Sequence, residues 1–556
     1  MGRAGVLPTL SLDFTAMGGT LDPRITFSRT STATFINSSG YVEWAGANLF
    51  TRSNALNIAG SWAITGIDTP TTSSLAPNED SAWRLNEPAA TAGVHSISQS
   101  VSVSQGVPYT MSVLVKKDQR IWIVLQITGS TFVYFNSDTG AFGNTSGTLL
   151  GYDKQDLGSG WWRVWVSANM TTATASCVVY IASANGTVSY TSIAGYGLFV
   201  ASPQLNPGSS VQAYYRTNPA AYHAPRFDYD STLAAKGLLL EGPATNLLNW
   251  SETFATSGGT NNNWADTNLT RTSTNNTSPR NDATALRITA SVLGNGTIIS
   301  SAAIGTSASR VLSVWLRRVT GTGNIQYTLD NGSNYTTQAI TSSWVRYSFP
   351  ATTAAQRVGF RIVTSLDAIE IWGAQLETEA STSYIPTGAS QVTRAVDTAI
   401  IAAGTNFSSW YTGGTTGTFV TEWCRCSPTT TQRTVIATSD VSNQHLHQYI
   451  AATTSRLRLA DKVPAFIETT NASVDNSINK GAFSYSGSVQ SLCLNGGTVV
   501  PGTLTFTTAP TWLSIGGPST NGTSITDTAV VLNNSIRTIK YFPTRLSDGQ
   551  IQGLTT

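Results

Sequence analysis

Tyr109-Thr-Met-Ser-Val-Leu-Val-Lys-Lys117 and Arg310-Val-Leu-Ser-Val-Trp-Leu-Arg-Arg318 are the stretches whose reading decides the fold. In the second, Leu312, Val314 and Leu316 alternate with Ser313, Trp315 and Arg317, the period-two pattern of a strand with one face on a core. The two stretches also match each other, and four further landmarks recur around them in the same order. Glu43-Trp-Ala-Gly-Ala-Asn-Leu-Phe50 matches Glu241-Gly-Pro-Ala-Thr-Asn-Leu-Leu248, which aligns Asn48 with Asn246. Gly160-Trp-Trp-Arg-Val-Trp-Val166 matches Ser343-Trp-Val-Arg-Tyr-Ser-Phe349. Val200-Ala-Ser-Pro-Gln-Leu205 matches Trp372-Gly-Ala-Gln-Leu376, and Tyr214-Tyr-Arg-Thr217 matches Tyr384-Ile-Pro-Thr387. The offset falls from 198 at the first landmark to 170 at the last. A duplicated domain whose loops differ in length behaves in this way.

Turn signals such as Asp138-Thr-Gly140 and Asp330-Asn-Gly332 separate the alternating runs, and amphipathic helix patterns are nearly absent. The expected fold class is therefore all-β, with tandem antiparallel β-sandwiches: two jelly-roll-like copies and, after a change of pattern near residue 398, a third sandwich. The expected boundaries are an N-terminal segment over 1–45, the first copy over 46–220, a structured connector over 221–245, the second copy over 246–390 and the third sandwich over 391–556. Ser547 followed by Gln550 is a capping box, which predicts a short terminal helix.

Composition agrees. The chain has 556 residues, too many for one core. Charged residues are 11%, less than half the usual share, so Thr, Ser, Asn and Gly must supply the polar surface, and these suit strands and turns. A net charge of +2, with Lys116-Lys117 and Arg317-Arg318 as the tight basic pairs, offers no field for nucleic acid or an anionic membrane. The cysteines Cys177, Cys424, Cys426 and Cys493 have neither disulfide-scaffold nor zinc spacing and read as small buried hydrophobes. No apolar leader core follows Met1 and no run is long enough for a membrane span, so synthesis in a cytoplasm without export or membrane insertion is expected.

Two sets of segments resemble known families. Leu513-Ser-Ile-Gly-Gly517, Tyr541-Phe-Pro543 and Arg545-Leu-Ser-Asp-Gly-Gln-Ile-Gln-Gly-Leu554 resemble the concanavalin A-like, laminin-G-type lectin sandwich. Phe27-Ser-Arg-Thr-Ser-Thr-Ala-Thr-Phe35, Pro225-Arg-Phe-Asp-Tyr-Asp230, Gly237 to Leu248 and Gly373-Ala-Gln-Leu-Glu377 with Thr382 to Thr387 resemble modules of phage and prophage structural proteins, themselves similar to carbohydrate-binding jelly rolls. The resemblance implies a virion protein of tail-fibre or head- or neck-fibre type, a homotrimer or other homo-oligomer, with other virion proteins and a host surface glycan as partners. It implies attachment to the particle through residues 1–45.

No enzyme is expected. A glycanase sandwich needs two carboxyls ~5–10 Å apart on one face, and residues 398–556 hold no such run. Asp228 and Asp230 have the spacing, but in a connector where turn contacts explain them. His95, His223, His445 and His447 give no Ser-His-Asp arrangement; His445 and His447 would share one strand face and are the metal candidates. No cofactor is expected; calcium, if used, would draw on loop carboxylates such as Asp138, Asp330 and Asp440. Sugars stack on aromatic faces, which makes Trp122 and Tyr134 in the first copy and Trp315 and Tyr327 in the second the candidate ligand contacts, each against the alternative that it is sandwich core. The reading is a non-enzymatic binding protein of the virion surface. The alternatives are a capsid-decorating, collar or baseplate component without a glycan ligand, and a polysaccharide depolymerase.

Overall fold

The structure is a computed structural model and describes residues 6–16, 18–254, 264–272, 276–300, 309–351, 357–378, 380–424, 431–439, 444–452, 454–460, 466–475, 477–504, 506 and 508–556. The alternating runs are strands, and all their pairings are antiparallel. They make three sandwiches, the fold class expected from the sequence.

In the first copy a six-stranded sheet runs in the order Leu149–Gly158, Trp161–Asn169, Pro108–Lys117, Gly197–Pro207, Ser81–Asn86 and Thr71–Leu75. It faces a sheet ordered Ala141–Ser146, Thr131–Asn136, Trp122–Thr128, Thr174–Ala182 and Ala92–Ser102, with Ala63–Thr65 and Ser189–Thr191 both on the last strand. Met111, Val113 and Val115 from one sheet share a core with Ile123, Leu125 and Ile127 from the other. The second copy repeats the order with fewer strands. Leu269–Thr272, Leu286–Ala290, Ala368–Thr378, Arg310–Thr320 and Val345–Ala351 face Trp264–Thr267, Gly296–Ser300, Gly359–Ile362, Ile325–Thr328 and Thr336–Gln338. Leu312, Val314 and Leu316 lie in its core as the alternation requires. The first copy gains Ala141–Ser146 on one sheet and Leu149–Gly158 on the other, and this insertion shortens the offset between the copies.

The recurring landmarks are buried hydrogen-bond staples. The Asn48 side-chain amide donates to the Pro203 and Tyr215 carbonyls and accepts from the Phe50 and Leu205 amides. Asn246 repeats all four bonds with Ala374, Ile385, Leu248 and Leu376. Ser53 pairs with Tyr214 and Thr217 as Ser251 does with Tyr384 and Thr387. Arg163 binds Ser112 as Arg346 binds Ser313. A buried side chain that satisfies four backbone groups cannot be replaced by an apolar one without orphaning them, so these positions belong to the fold and not to a ligand.

The third sandwich corrects the expected boundaries. One sheet is ordered Arg226–Tyr229, Ala235–Leu240, Asn534–Phe542, Thr416–Cys424, Ile478–Ser486, Val489–Leu494 and Val500–Gly502, and Leu10–Asp13 shares the edge of Asn534–Phe542 with Ala235–Leu240. The other runs Ile25–Ser28, Thr398–Ile401, Trp512–Ile515, Arg433–Ser439, Gln444–Ile450, Arg456–Ala460 and Phe466–Ala472. The segment set apart as 1–45 thus supplies a strand to each sheet, because Leu10 and Leu12 alternate with Ser11 and Asp13 and fill the core beside Phe14 and Ile25. Its remaining hairpin, Thr34–Ile36 with Val42–Trp44, packs on the second copy, where the Val42 amide donates to the Pro279 carbonyl. The connector 221–245 supplies two more strands to the third sandwich. Ser547 caps the terminal helix Asp548–Thr555 reciprocally with Gln550, and Ile551 covers Val420, Ala482 and Cys493 on the outer side of the sheet. Cys177, Cys424 and Cys493 are buried free thiols; Cys426 lies outside the described residues.

Between the second copy and the third sandwich, five side chains form a buried ion network. Asp397 pairs with Arg29 and Arg226, and Glu241 with Arg226 and Arg394. Ser383 donates to Glu241 from both its amide and its hydroxyl. Burial alone would raise the Glu241 carboxyl, but Arg394 and Arg226 hold it down at about 2.

Candidate functional site

The outward face of the seven-stranded sheet of the first copy carries an aromatic patch. Register fixes which side chains share it, because residues directly opposite in neighbouring strands point the same way. One row runs Ala63, Ser98, Val178, Gln126, Phe132. The next runs Thr65, Ser96, Tyr180, Val124, Tyr134, and a third Ala182, Trp122, Asn136. Ile123, Leu125, Val133, Phe135, Val179 and Ile181 alternate with them and face the core. The rows cross five strands, a span of about 19 Å at ~4.8 Å per strand.

Val124, Tyr134 and Ala182 are buried in the middle of this patch, with Trp122, Phe132, Tyr180 and Val188 half-buried around them. The Phe132 and Tyr134 rings meet edge to face at 5.7 Å. Gly143 lies against Trp122, where a Cβ would stand 2.8 Å from the ring, so the inserted strand covers one side of the indole and leaves the rest facing the patch. Tyr180 donates weakly to the Gln126 side-chain oxygen at 3.4 Å. None of the three rows contains a charged residue, and burial raises the Tyr134 and Tyr180 phenols, so the face is neutral. At the far end of the rows, Thr51, Ser61, Trp62, Ala63 and Ser98 to Ser102 line a groove of about 610 Å³ that is rich in hydroxyls. Half-buried rings beside hydroxyls and amides form a surface suited to a neutral polyol with apolar C–H faces.

The sequence candidates fall in different places. Trp122 and Tyr134 come together here, with Trp122 reachable and Tyr134 beneath its neighbours. Trp315 does not serve as a surface ring: it is 6% exposed, under the Thr34–Ile36 and Val42–Trp44 hairpin and against Trp372, Tyr384 and Val42. Tyr327 points inward, stacked on Phe349 at 4.0 Å. Phe132, Tyr180 and Gln126 were not singled out, although the alternation in Thr131-Phe-Val-Tyr-Phe135 signals that Phe132 and Tyr134 share a face.

The acid and metal candidates are engaged structurally. Asp228 accepts from the Ile36 amide and from Lys236, both at 2.8 Å. Asp230 accepts from Thr232 and the Ala234 amide in a turn, and the Thr232 hydroxyl holds its carboxyl below the usual range. The pair therefore organises a hairpin. His447 is buried with its Nε2 at 2.8 Å from the Thr434 hydroxyl, and burial pushes its imidazole down to about 4. The His445 side chain lies outside the described residues. Asp138 pairs with Lys117, and Asp330 caps its own turn through Thr328 and Asn334. Asp440 lies outside the described residues. Among the described residues no group of three or more His, Cys, Asp and Glu could hold a metal ion, and no helix is long and apolar enough to cross a membrane.

No protein-family model and no curated protein matches the sequence. Several solved structures are similar to it. The tandem N-terminal CBM22 domains of a Paenibacillus barcinonensis protein are 10% identical, covering 60% of this chain and 98% of theirs, with a TM-score of 0.21. The mouse laminin alpha1 domains LG4-5 are 11% identical over 46% of this chain and 91% of theirs, also at 0.21. A Trypanosoma rangeli sialidase in complex with sialic acid is 9% identical over 96% of this chain and 98% of its own, at 0.23. Likenesses at these scores carry no argument about this chain.

Proposed function

We propose that this protein is a non-catalytic glycan-binding protein that works as part of a phage particle, and that its ligand lies across the outward aromatic face of the first copy. The observation that carries the reading is the gathering of Trp122, Phe132 and Tyr180, each half-buried, on one uncharged outward sheet face whose first row, at Ala63 and Ser98, also lines a hydroxyl-rich groove. A sugar ring stacks on Trp122 and Tyr180 while Gln126 and Ser98 bond its hydroxyls. Single contacts of this kind are weak. Several copies on one particle would raise avidity by ~10²–10⁴, which suits attachment to a host surface. The carboxylates that could have formed a hydrolytic pair are committed to turns and ion pairs, which supports binding without bond cleavage. The particle setting rests on the segments that resemble phage modules, and antibody labelling of purified virions tests it.

The binding claim is tested by glycan-array screening of the intact chain, followed by calorimetric titration of the best ligand. Trp122→Ala and Tyr180→Ala are each expected to weaken binding at least tenfold while the thermal unfolding profile stays within a few degrees. Unchanged affinity in both variants would remove this face from the account.

A further inference from the structure

We infer that the second copy carries a distinct site for an acidic sugar, in which Arg361 reads the carboxylate; this rests on the glycan-binding reading of the first copy. The two copies share sheet order, and the offset that relates Arg163 to Arg346 also relates Val178 to Arg361. The face that is aromatic in the first copy is a polar row in the second: Thr267, Thr297, Arg361, Gln326, Thr337.

Arg361 is fixed on two sides. Its Nε and one terminal nitrogen donate to the Gln326 side-chain oxygen at 2.8 and 2.5 Å. Its guanidinium lies 3.7 Å above the centre of the Tyr335 ring. A guanidinium has five N–H donors, so the edge formed by its two terminal nitrogens keeps a parallel pair of donors free, the shape that a carboxylate meets with both oxygens. Among the described residues no carboxylate pairs with Arg361, and its unbonded terminal nitrogen, Nη1, is not sealed from solvent. Arg287 and Arg317 share Glu370, and Arg458 is held by Glu468, whereas the hydrogen-bond partner of Arg361 is a neutral amide. Held in one plane, with Thr297 directly opposite on the neighbouring strand, Arg361 is prepared for an anionic group attached to a hydroxylated ring. The copies thus divide the ligand chemistry, with neutral sugar faces on the first and acidic sugars on the second.

Calorimetric titration of the full chain with tetragalacturonate, with its methyl ester and with inorganic phosphate tests this. The acid is expected to bind at least tenfold more tightly than the ester. Arg361→Gln should erase that ratio, Arg361→Lys should restore only part of it, and Trp122→Ala should leave it intact. Equal binding of acid and ester, or a ratio that survives Arg361→Gln, overturns the inference while leaving the first-copy site standing if neutral glycans still bind there. Phosphate binding as tight as that of the tetrasaccharide overturns the sugar assignment. Failure of any glycan to bind the intact chain ends both proposals.

Discussion

Deleting residues 1–28 is expected to destroy the third sandwich, in which the partner strands Thr398–Ile401 and Asn534–Phe542 lie at least 370 residues from those removed. The deletion takes the strands Leu10–Asp13 and Ile25–Ser28 and withdraws Leu10, Leu12, Phe14 and Ile25 from the core, all of them 7% exposed or less. At ~1.5–3 kcal/mol per buried side chain the loss is roughly 6–12 kcal/mol, before counting the orphaned backbone groups along Asn534–Phe542 and Thr398–Ile401. A domain has only ~5–15 kcal/mol in hand. Limited proteolysis of the deletion variant should show residues 398–556 cut rapidly, where the full chain resists. A protease-resistant C-terminal region in the deleted protein would mean that the segment is dispensable to the fold and free to act as an attachment arm.

Asp397→Ala is expected to lower the stability of the whole junction by about 3–5 kcal/mol, the range for removing one partner from a buried ion pair. Asp397 faces Arg29 and Arg226 and also accepts the Glu241 amide, with its side chain wholly buried. Its removal leaves two guanidiniums without their shared counter-charge, and the arginines come from the N-terminal segment and the connector. The expected readout is a lower first transition in scanning calorimetry and new cleavage between the sandwiches. The same network gives an acid limit. Glu241 is held at about 2, below its ordinary value of 4.5, so its contribution is full above pH 4.5 and is lost as pH falls towards 2. A variant that unfolds at the wild-type temperature across that range would show the network to be energetically idle.

The duplication was legible because its landmarks are local strings. Asn48 and Asn246 stood out as aligned residues, yet only the structure shows each of them satisfying four backbone groups. The segments that resemble phage modules also turn out to be architectural: Arg29, Arg226 and Glu241 within them build the junction. The interrupted third sandwich was not legible. Leu10 pairs with Tyr541, and four alternating residues near the start of a chain do not specify a partner at the other end. The site was half legible for a related reason. Alternation tells that Trp122 and Ile123 face opposite ways, but which side is core depends on the second sheet, and only this parity separates the surface ring of Trp122 from the inward Tyr327. Trp315 has the outward parity and is lost to the hairpin folded over it.

Hydrogen–deuterium exchange of the intact protein, with and without a saturating glycan selected on the array, tests the central claim most directly. Protection is expected along Trp122–Thr128, Thr131–Asn136 and Thr174–Ala182, with the glycan recovered uncleaved. Protection confined to the third sandwich, or release of shortened sugar during the experiment, would contradict the account.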